Sequence, residues 1–279
     1  MKIIADSSST RTEWCLVEGN NILEQATTGG LNPYFQSRRE ISHKIRLELP
    51  QSFFKRRWEH VYFYGAGCSN DAKKKIIESS IIAQFKTPTT VESDLLGAAR
   101  GLLINEPGLA CIIGTGSNSC LYDGANITKN VRPLGFILGD EGSGSAMGKR
   151  LVGDILKDLA PAELSQQFFE KFSATRDSIM ESVYGNPNPN TALSSYSFFL
   201  ADHLDHQYVR NLIRTEFESF FSRCITQYDY RNHSASFVGA VACLYSEILC
   251  EVADNFGVEI KKIIRRSMPG LVSYHAQHP

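Results

Sequence analysis

Two short segments of the chain share one pattern, and this repeat most constrains the fold. Residues 15–20 read Cys-Leu-Val-Glu-Gly-Asn, and residues 120–125 read Cys-Leu-Tyr-Asp-Gly-Ala. In each segment the end of an apolar strand leads into a turn made of an acidic residue and a glycine. Each also follows a loop of small and hydroxyl residues. A recurring order of elements is the signature of a repeated structural unit. The pair therefore favours two similar domains, although short echoes of this kind also arise by chance.

The predicted elements of the first third of the chain indicate a mixed sheet. Three short strands are predicted within residues 2–27, and strands then alternate with helices up to residue 104. Strands joined by tight turns pair antiparallel, whereas strands separated by helices pair in parallel. This order predicts one mixed sheet with helices on its faces. A break at 105–108 precedes a second start of the same strand–loop–strand pattern.

The remainder of the chain is predicted to be mainly helical. Apolar residues from Met147 to Leu159 recur at helical spacing. Asp140 and Glu141 precede this stretch, where carboxylates favour the N-terminus of a helix. A buried strand is predicted at 235–238, followed by a helix through residue 252 and a last strand at 258–264.

A glycine loop follows the apolar residues 111–113. Gly114 and Gly116 can adopt positive φ without steric cost, and the hydroxyls of Thr115 and Ser117 add donors to the backbone N–H groups. Such a loop can cradle a phosphate group. The same pattern also makes an ordinary tight turn, so the loop alone leaves both interpretations open.

A second candidate anion-binding loop lies between the first two predicted strands. Asp6, at the end of a strand, can hold Mg²⁺ directly or through water, and Arg11 can neutralise negative charge. Hydroxyl and amide groups between them can bind phosphate, from Ser8, Ser9 and Thr10. A serine-rich turn whose aspartate caps local N–H groups is the alternative structural role.

Composition excludes several classes of function. The chain has 29 basic and 30 acidic residues, a net charge of −1, so charge supports neither a nucleic-acid partner nor a membrane surface. No apolar run approaches the roughly 20 residues of a membrane-spanning helix, and no apolar leader segment is recognisable. Seven cysteines occur without a Cys-x-x-Cys pair, which predicts free thiols. We therefore expect a cytoplasmic protein.

Five segments, taken together, resemble the acetate kinase, sugar kinase, Hsp70 and actin superfamily. Within it the chain is similar to the branch of N-acetylglucosamine kinases and BadF/BadG-type ATPases. The match covers nearly the whole chain, and the order of the motifs is more specific than any one of them. The segments are a first phosphate loop at 6–12, an Asp-x-x-Gly-Ala helix start at 94–98, a second phosphate loop at 114–118, Gly-Asp-Glu-Gly-Ser at 139–143, and a strand-to-helix turn at 237–242.

The resemblance implies an α/β fold of two ribonuclease-H-like domains of the actin-like ATPase type. Each domain would be a mixed five-stranded sheet flanked by helices, with a cleft between the domains. The expected bounds are 1–106 for the first domain, with the tail 266–279 packed back onto it, and 107–265 for the second. ATP, with Mg²⁺, would bind in the cleft through both phosphate loops, its adenosine near Gly239 and Ala240. A homodimer is also expected.

The resemblance further implies an ATP-dependent kinase that phosphorylates an amino sugar, N-acetylglucosamine, to its 6-phosphate. Asp94 would accept the proton of the sugar hydroxyl, although a residue at this position can also cap its own helix. The remaining sugar-binding residues would be Asn32, Thr115, Gly116 and Asp140. Glu141 would either touch the sugar or only stabilise its helix.

The chain departs from the family pattern in two segments. Ser7 and Ser8 stand where the first phosphate loop usually has glycines. A Cβ is costly at positive φ and limits how closely phosphate can approach, so we expect a different loop conformation or a lower affinity for ATP. Leu134 stands where the animal kinases have a tryptophan beside the acetamido group, which weakens the expected preference for that group.

Two other functions fit the same superfamily. One is an ATPase that activates a dehydratase through a [4Fe–4S] cluster held by cysteines of two subunits, although no cysteine pair here has suitable ligand spacing. The other is a non-catalytic regulator that binds ATP, for which the altered loop at Ser7 and Ser8 is the argument.

Overall fold

A computed structural model describes residues 1–8, 10–55 and 57–278 of the chain. The chain divides into two compact units. The first consists of Met1–Ala110, Tyr122–Thr128 and Arg266–Pro279, and the second of Cys111–Leu121 and Lys129–Arg265.

The first sheet has five strands: β1 (Lys2–Ser7), β2 (Arg11–Glu18), β3 (Asn21–Gly29), β4 (Val61–Gly65) and β5 (Thr89–Ser93). Their spatial order is β3-β2-β1-β4-β5. The hairpin-connected strands β1, β2 and β3 pair antiparallel, and β4 and β5 join β1 in parallel. The prediction of a mixed sheet is confirmed.

Alternating residues of this sheet pack into two apolar layers, one on each face, because successive side chains of a strand point to opposite faces. Ile3 and Ala5 pack with Trp14 in a core that includes the buried faces of the first two helices. Ile4 packs instead with apolar residues of the C-terminal helix, on the opposite face. The helices of this unit are α1 (Arg38–Glu48), α2 (Asp71–Phe85) and α3 (Asp94–Leu103), with a 3₁₀ turn at Gln51–Phe54.

The second sheet repeats the arrangement of the first. Its strands are β6 (Gly108–Ile113), β7 (Ser117–Tyr122), β8 (Ile127–Val131), β9 (Ala235–Val238) and β10 (Ile260–Ile264). The spatial order β10-β9-β6-β7-β8 places the first strand in the middle, the next two on one side and the last two on the other. This is the order of the first sheet, so the prediction of two five-stranded sheets is confirmed. Strand β8 was not predicted, since only its end residues are apolar.

Helices fill the rest of the chain: α4 (Gly135–Leu138), α5 (Gly144–Leu156), α6 (Ala162–Phe172), α7 (Arg176–Tyr184), α8 (Pro189–Ser197), α9 (Gln207–Arg223), α10 (Ala240–Leu244), α11 (Ser246–Phe256) and α12 (Met268–Gln277). Short 3₁₀ segments lie at Phe198–His203 and Ile225–Gln227. Among the described residues, none of these helices combines the length and the apolar character needed to cross a membrane.

One predicted helix start was wrong, and one predicted helix is interrupted. Helix α5 begins at Gly144, and its N-cap is Ser143, whose hydroxyl accepts from the Ala146 N–H. Asp140 and Glu141 therefore lie in the preceding loop and not at the N-terminus of the helix. The helix predicted after Gly239 is broken at Tyr245 into α10 and α11.

Candidate active site

The parallel strands of the first sheet end together. Ser7, Gly65 and Ser93 occupy one row of the register, at the carboxyl ends of β1, β4 and β5. Loops at this edge are where ligands bind in open α/β sheets. Asp6 lies one position before that row and Asp94 one position after it, so two of the predicted site residues belong to the same edge.

The carboxylate of Asp6 is half-buried and shielded from water. Burial, together with the negative charges of Asp94 and Glu13, raises the pKa of Asp6 to about 6. A hydrogen bond from the Ser267 hydroxyl to Oδ2, together with the positive charge of Arg11, opposes these effects on the pKa. A carboxylate held near other negative charges is suited to bind a cation.

Asp94 is the first residue of α3 but not its N-cap. The cap is Ser93, whose hydroxyl accepts from the Leu96 N–H at 3.2 Å. Oδ1 of Asp94 accepts from the neighbouring Leu95 N–H, at 2.9 Å. Burial raises the pKa of Asp94. Because Ser93 already performs the capping role, most of the hydrogen-bonding capacity of Asp94 is available to a substrate.

The loop between β1 and β2 is held together by one hydroxyl. The Ser8 hydroxyl accepts from the N–H groups of Thr10 and Arg11 at 3.4 and 3.3 Å, and it lies within reach of the Arg11 carbonyl at 3.2 Å. The Ser8 N–H also donates to that carbonyl at 2.9 Å. Ser9, predicted to bind phosphate, lies outside the described residues.

Ser7 makes hydrogen bonds in the protein interior that the sequence did not predict. Its side chain is fully buried, 2.7 Å from the Thr12 hydroxyl, and it accepts from the Leu31 N–H at 3.1 Å. Neither Ser7 nor Ser8 has a positive φ. The expected backbone cost of serine at these positions is therefore absent.

Asn32 follows directly on the Leu31 backbone that Ser7 holds. Its Oδ1 accepts from the Tyr34 N–H at 2.9 Å, which makes a local turn. Gly67, at φ +79°, approaches this side chain so closely that a Cβ there would overlap it. Within the described residues no protein group accepts from the Asn32 Nδ2, so this amide can donate to a ligand.

The second phosphate loop is held by backbone groups. The Gly114 N–H donates to the Gly116 carbonyl, and the carbonyls of Gly114 and Thr115 accept from the first two N–H groups of α5 at 2.9 and 3.0 Å. Neither glycine adopts positive φ, so the conformational reason expected for them was wrong. Gly116 is needed for close approach instead, because a Cβ there would lie 2.9 Å from Asp140 Oδ2.

Asp140 combines backbone strain with burial. Its φ is +58°, although it is not a glycine, and its side chain is only 8% exposed. Burial raises its pKa to about 6, while the Ser117 N–H, 3.4 Å from Oδ1, opposes this. Strained backbone at a buried polar residue persists only where its surroundings enforce it, and such residues cluster at functional sites.

The neighbours of Asp140 have separate roles. The buried Ser117 hydroxyl donates to the Glu141 carbonyl at 2.8 Å, which ties the loop to the 139–142 segment and occupies the hydroxyl that was predicted to bind phosphate. The Glu141 carboxylate forms an ion pair with Arg223 of α9 at 2.5 Å. Leu134, at φ +62°, is 60% exposed and offers apolar surface to a ligand.

Gly239 connects β9 to α10 at a point of close backbone approach. Its φ is +136°, and a Cβ would overlap the Ile113 carbonyl and lie 3.3 Å from the Gly114 N atom. The predicted adenosine turn, with Ala240 at the start of α10, therefore contacts the second phosphate loop directly.

Comparison with known proteins was made by sequence and by structure. No protein-family model matches the chain, and no curated protein matches it. A solved structure from Porphyromonas gingivalis named "Putative N-acetylglucosamine Kinase" is 40% identical, with a TM-score of 0.94 and 99% of each chain covered.

Two more distant structures have the same fold. A protein from Chromobacterium violaceum with the same name is 16% identical, with a TM-score of 0.65 and 98% of each chain covered. A "putative N-acetylmannosamine kinase" from Listeria monocytogenes is 12% identical, with a TM-score of 0.54 and 99% and 97% of the two chains covered. At these identities the likeness establishes the fold alone.

The duplicated sheet order and the identity to the Porphyromonas gingivalis protein agree with the resemblance found in the motifs. The chain belongs to the family of that protein, the N-acetylglucosamine kinase family of the actin-like ATPase fold.

Proposed function

We propose that the protein is an ATP-dependent sugar kinase that transfers the γ-phosphoryl group of ATP to the 6-hydroxyl of N-acetylglucosamine. The observation that carries the proposal is Asp94, a carboxylate at the edge of the first sheet that is released from capping by Ser93. The 40% identity to the Porphyromonas gingivalis protein supports the choice of substrate.

Asp94 is the group to which we assign the proton of the attacking hydroxyl. Burial raises the pKa of Asp94 towards the operating pH, where a carboxylate is a better base. As the new O–P bond forms and the bond from the γ-phosphorus to ADP breaks, the hydroxyl proton moves to Asp94. Phosphoryl transfer has a largely dissociative transition state, so positioning and charge neutralisation supply most of the rate.

The sugar would be held by side-chain groups that have no other partner in the described part of the chain. These are the Asn32 Nδ2, the Thr115 hydroxyl and the Asp140 Oδ2, with Gly116 providing room beside Asp140. Hydroxyls of a bound sugar lose their water, and each needs a protein partner in compensation. Leu134 would contact the acetamido methyl group.

The phosphates of ATP would be bound by the two loops. We assign to the first loop Ser8, Ser9, Thr10 and Arg11, to the second loop Gly114, Thr115, Gly116 and the Ser117 backbone, and to the adenosine Gly239 and Ala240. The Ser117 hydroxyl is left out of this assignment because it is buried and donates to Glu141.

The donor set fits Mg²⁺ bound mainly through the substrate. In the part of the chain that the structure describes, no three His, Cys, Asp or Glu side chains are grouped to hold a metal ion. Mg²⁺ in kinases keeps several waters and needs only one or two carboxylates besides the phosphates. Asp6, whose Oδ1 accepts no hydrogen bond from the residues that the structure describes, would hold it, directly or through water. The ion would neutralise charge that develops on the phosphates.

Neither of the two alternative functions is favoured. A cluster ligand is a thiolate, but five of the seven cysteines are buried, and burial raises the pKa of Cys111 well above its ordinary value. We further propose a cytoplasmic homodimer with domain bounds near 1–106 and 107–265. These remain proposals from the family resemblance.

A coupled assay of ADP release tests the function. The purified protein is supplied with ATP and Mg²⁺ and with N-acetylglucosamine, glucosamine, N-acetylmannosamine or glucose. We expect ADP release that depends on sugar and is fastest with N-acetylglucosamine, and a product whose phosphate is on the 6-hydroxyl by ³¹P NMR. ADP release that no sugar stimulates would contradict the proposal.

A further inference from the structure

One polar contact of the candidate site comes from the far end of the chain. The Ser267 hydroxyl donates to Asp6 Oδ2, across a sequence separation of 261 residues. Among the described residues, Ser267 is the side-chain hydrogen-bond partner of Asp6. Ser267 is only 4% exposed. Oδ2 is thus fixed by Ser267, whereas Oδ1 has no hydrogen-bond partner among the described residues.

Two glycines determine where Ser267 lies. On α3, a Cβ at Gly101 would come within 2.7 Å of the Ser267 carbonyl oxygen. On α12, a Cβ at Gly270 would overlap the Gly101 carbonyl. The two helices can approach this closely only because both positions lack a side chain. The first turn of α12 is therefore set against α3, the helix that begins with Asp94.

The other end of α12 is anchored independently. His275 is 4% exposed, and its Nε2 lies 2.8 Å from the Tyr64 hydroxyl, which also accepts from Arg100 Nη1 at 3.0 Å. Arg100 belongs to α3, and its guanidinium also lies 4.8 Å from the centre of the Tyr274 ring. Helix α12 is therefore held at both ends, and Ser267 has little freedom to leave Asp6.

We propose that Ser267 is a positioning residue for Asp6. By fixing Oδ2, it orients Oδ1 towards the metal and phosphate side of the site. Through the packing of α12 on α3, it also makes the position of Asp6 depend on the helix that carries Asp94. The kinetic consequence rests on the proposed kinase function, whereas the contact itself does not.

The physical basis is the strength and direction of a hydrogen bond to a charged group. Such bonds are roughly twice as strong as those between neutral groups, and a free carboxylate in their place would rotate. Groups that orient a metal-binding side chain typically change metal affinity by about 10- to 100-fold when removed. We therefore expect that removing the Ser267 hydroxyl weakens the Mg²⁺-dependent part of nucleotide binding and leaves sugar binding unchanged.

The first experiment measures ADP binding by calorimetry with and without Mg²⁺, which requires no turnover. In Ser267→Ala the Mg²⁺-dependent gain in ADP affinity should fall by about 10-fold, while ADP affinity without Mg²⁺ stays at the wild-type value. Ser273→Ala is the matched control, because its hydroxyl lies on the exposed side of α12 and donates only to the Pro269 carbonyl at 3.2 Å. An unchanged Mg²⁺ effect in Ser267→Ala would overturn the proposal.

The second experiment separates positioning from stability. Unfolding midpoints in denaturant are compared for Ser267→Ala, Asp6→Asn and the double variant, without nucleotide. Non-additive shifts are expected, because each single change breaks the same bond. Additive shifts would show that the two side chains do not interact and would refute the inference.

The two proposals fail in different ways. If no sugar stimulates ADP release but Ser267→Ala still loses the Mg²⁺ effect, the kinase assignment is wrong and the positioning role stands. If sugar phosphorylation proceeds and Ser267→Ala matches wild type in Mg²⁺ dependence, the kinase assignment stands and the positioning role is wrong. In an active enzyme, Ser267→Ala should raise the KM for Mg·ATP and leave the KM for sugar unchanged.

Discussion

The loop after β1 and the loop after β6 occupy equivalent places in two sheets of identical strand order, yet they are built differently. The first is held by hydroxyls, with Ser8 accepting from the N–H groups of Thr10 and Arg11. The second is held by backbone, with its carbonyls accepting from the start of α5.

This difference explains why the residue types of the two loops are not interchangeable. Serine is tolerated in the first loop because φ is not positive there and because Ser7 and Ser8 supply bonds that a glycine cannot make. Glycine is required in the second loop because Gly116 lies against Asp140. A loop at this place in the sheet can thus be held together by side chains or by main chain on the same framework.

The largest expected effect belongs to Asp94, the first residue of α3 in the first unit. Asp94→Asn keeps the shape of the side chain but removes the base, and we expect kcat to fall by about 10²–10⁴-fold while ADP still binds. The matched control is Asp71→Asn, since Asp71 is likewise the first residue of a helix whose N-cap is another residue. Equal, small losses in the two variants would mean that Asp94 serves only its helix.

The second prediction tests the need for glycine in the backbone-built loop. In Gly116→Ala the new methyl group would lie 2.9 Å from Asp140 Oδ2 and displace the carboxylate that we propose binds the sugar. Misplacement on this scale costs about 10²-fold in kcat/KM. Gly153→Ala is the control, because Gly153 lies outside the proposed site, a Cβ there meets no atom within 4 Å and the φ is not positive. If the two variants lose the same activity, close approach to Asp140 is not the reason for Gly116.

The fold could be predicted from sequence to a large extent because its signals are local. Strand β9 was predicted with its observed bounds of Ala235–Val238. Strand β8 was missed because Thr128, Lys129 and Asn130 give it no apolar run. The start of α5 was misplaced because Asp140 and Ser143 are both good residues for a helix N-terminus, and only the structure shows which one caps it.

The site could be predicted only where motifs mark it. Asp94, Gly116 and Gly239 were found from their motifs, but the physical reason for Gly116 is a contact with a residue 24 positions later. Ser267 could not be found at all. No local pattern marks a serine that meets Asp6 across 261 residues, because the contact depends on how α12 packs on α3.

The third prediction concerns the cost of burying the Asp140 charge in the second unit. The folded pKa of about 6 lies above the ordinary value of 3.8 for an aspartate, so folding favours the neutral form. The stabilising contribution of the neutral Asp140 carboxyl is fully present below about pH 4, and it is lost as the pH rises through about 6. Asp140→Asn does not ionise and should be more stable than wild type by about 2 kcal/mol near pH 8, with little gain near pH 4.

Thermal and denaturant unfolding at the two pH values measure this difference, and sugar affinity should fall in the same variant. Asp158→Asn is the control for the effect of placing asparagine at a positive φ, since Asp158 also has a positive φ of 56° but its side chain is exposed. A gain in Asp140→Asn that is the same at both pH values would contradict the origin assigned to it.

The smallest predicted effect concerns Ser7. We expect that replacing Ser7 with glycine, the residue usual in this loop in the family, lowers the stability of the protein. In Ser7→Ala the Leu31 N–H and the Thr12 hydroxyl lose a fully buried partner, which should lower the free energy of unfolding by about 1–2 kcal/mol. Ser7→Gly restores the glycine common in this loop but adds backbone freedom to the unfolded chain, so it should be less stable than Ser7→Ala by roughly 0.5–1 kcal/mol. Ser8→Gly, in the exposed part of the loop, is the control and should change stability less than either. Urea unfolding ranks the three variants. A Ser7→Gly protein as stable as wild type would mean that the first loop is held by backbone after all, and the contrast between the two loops would disappear.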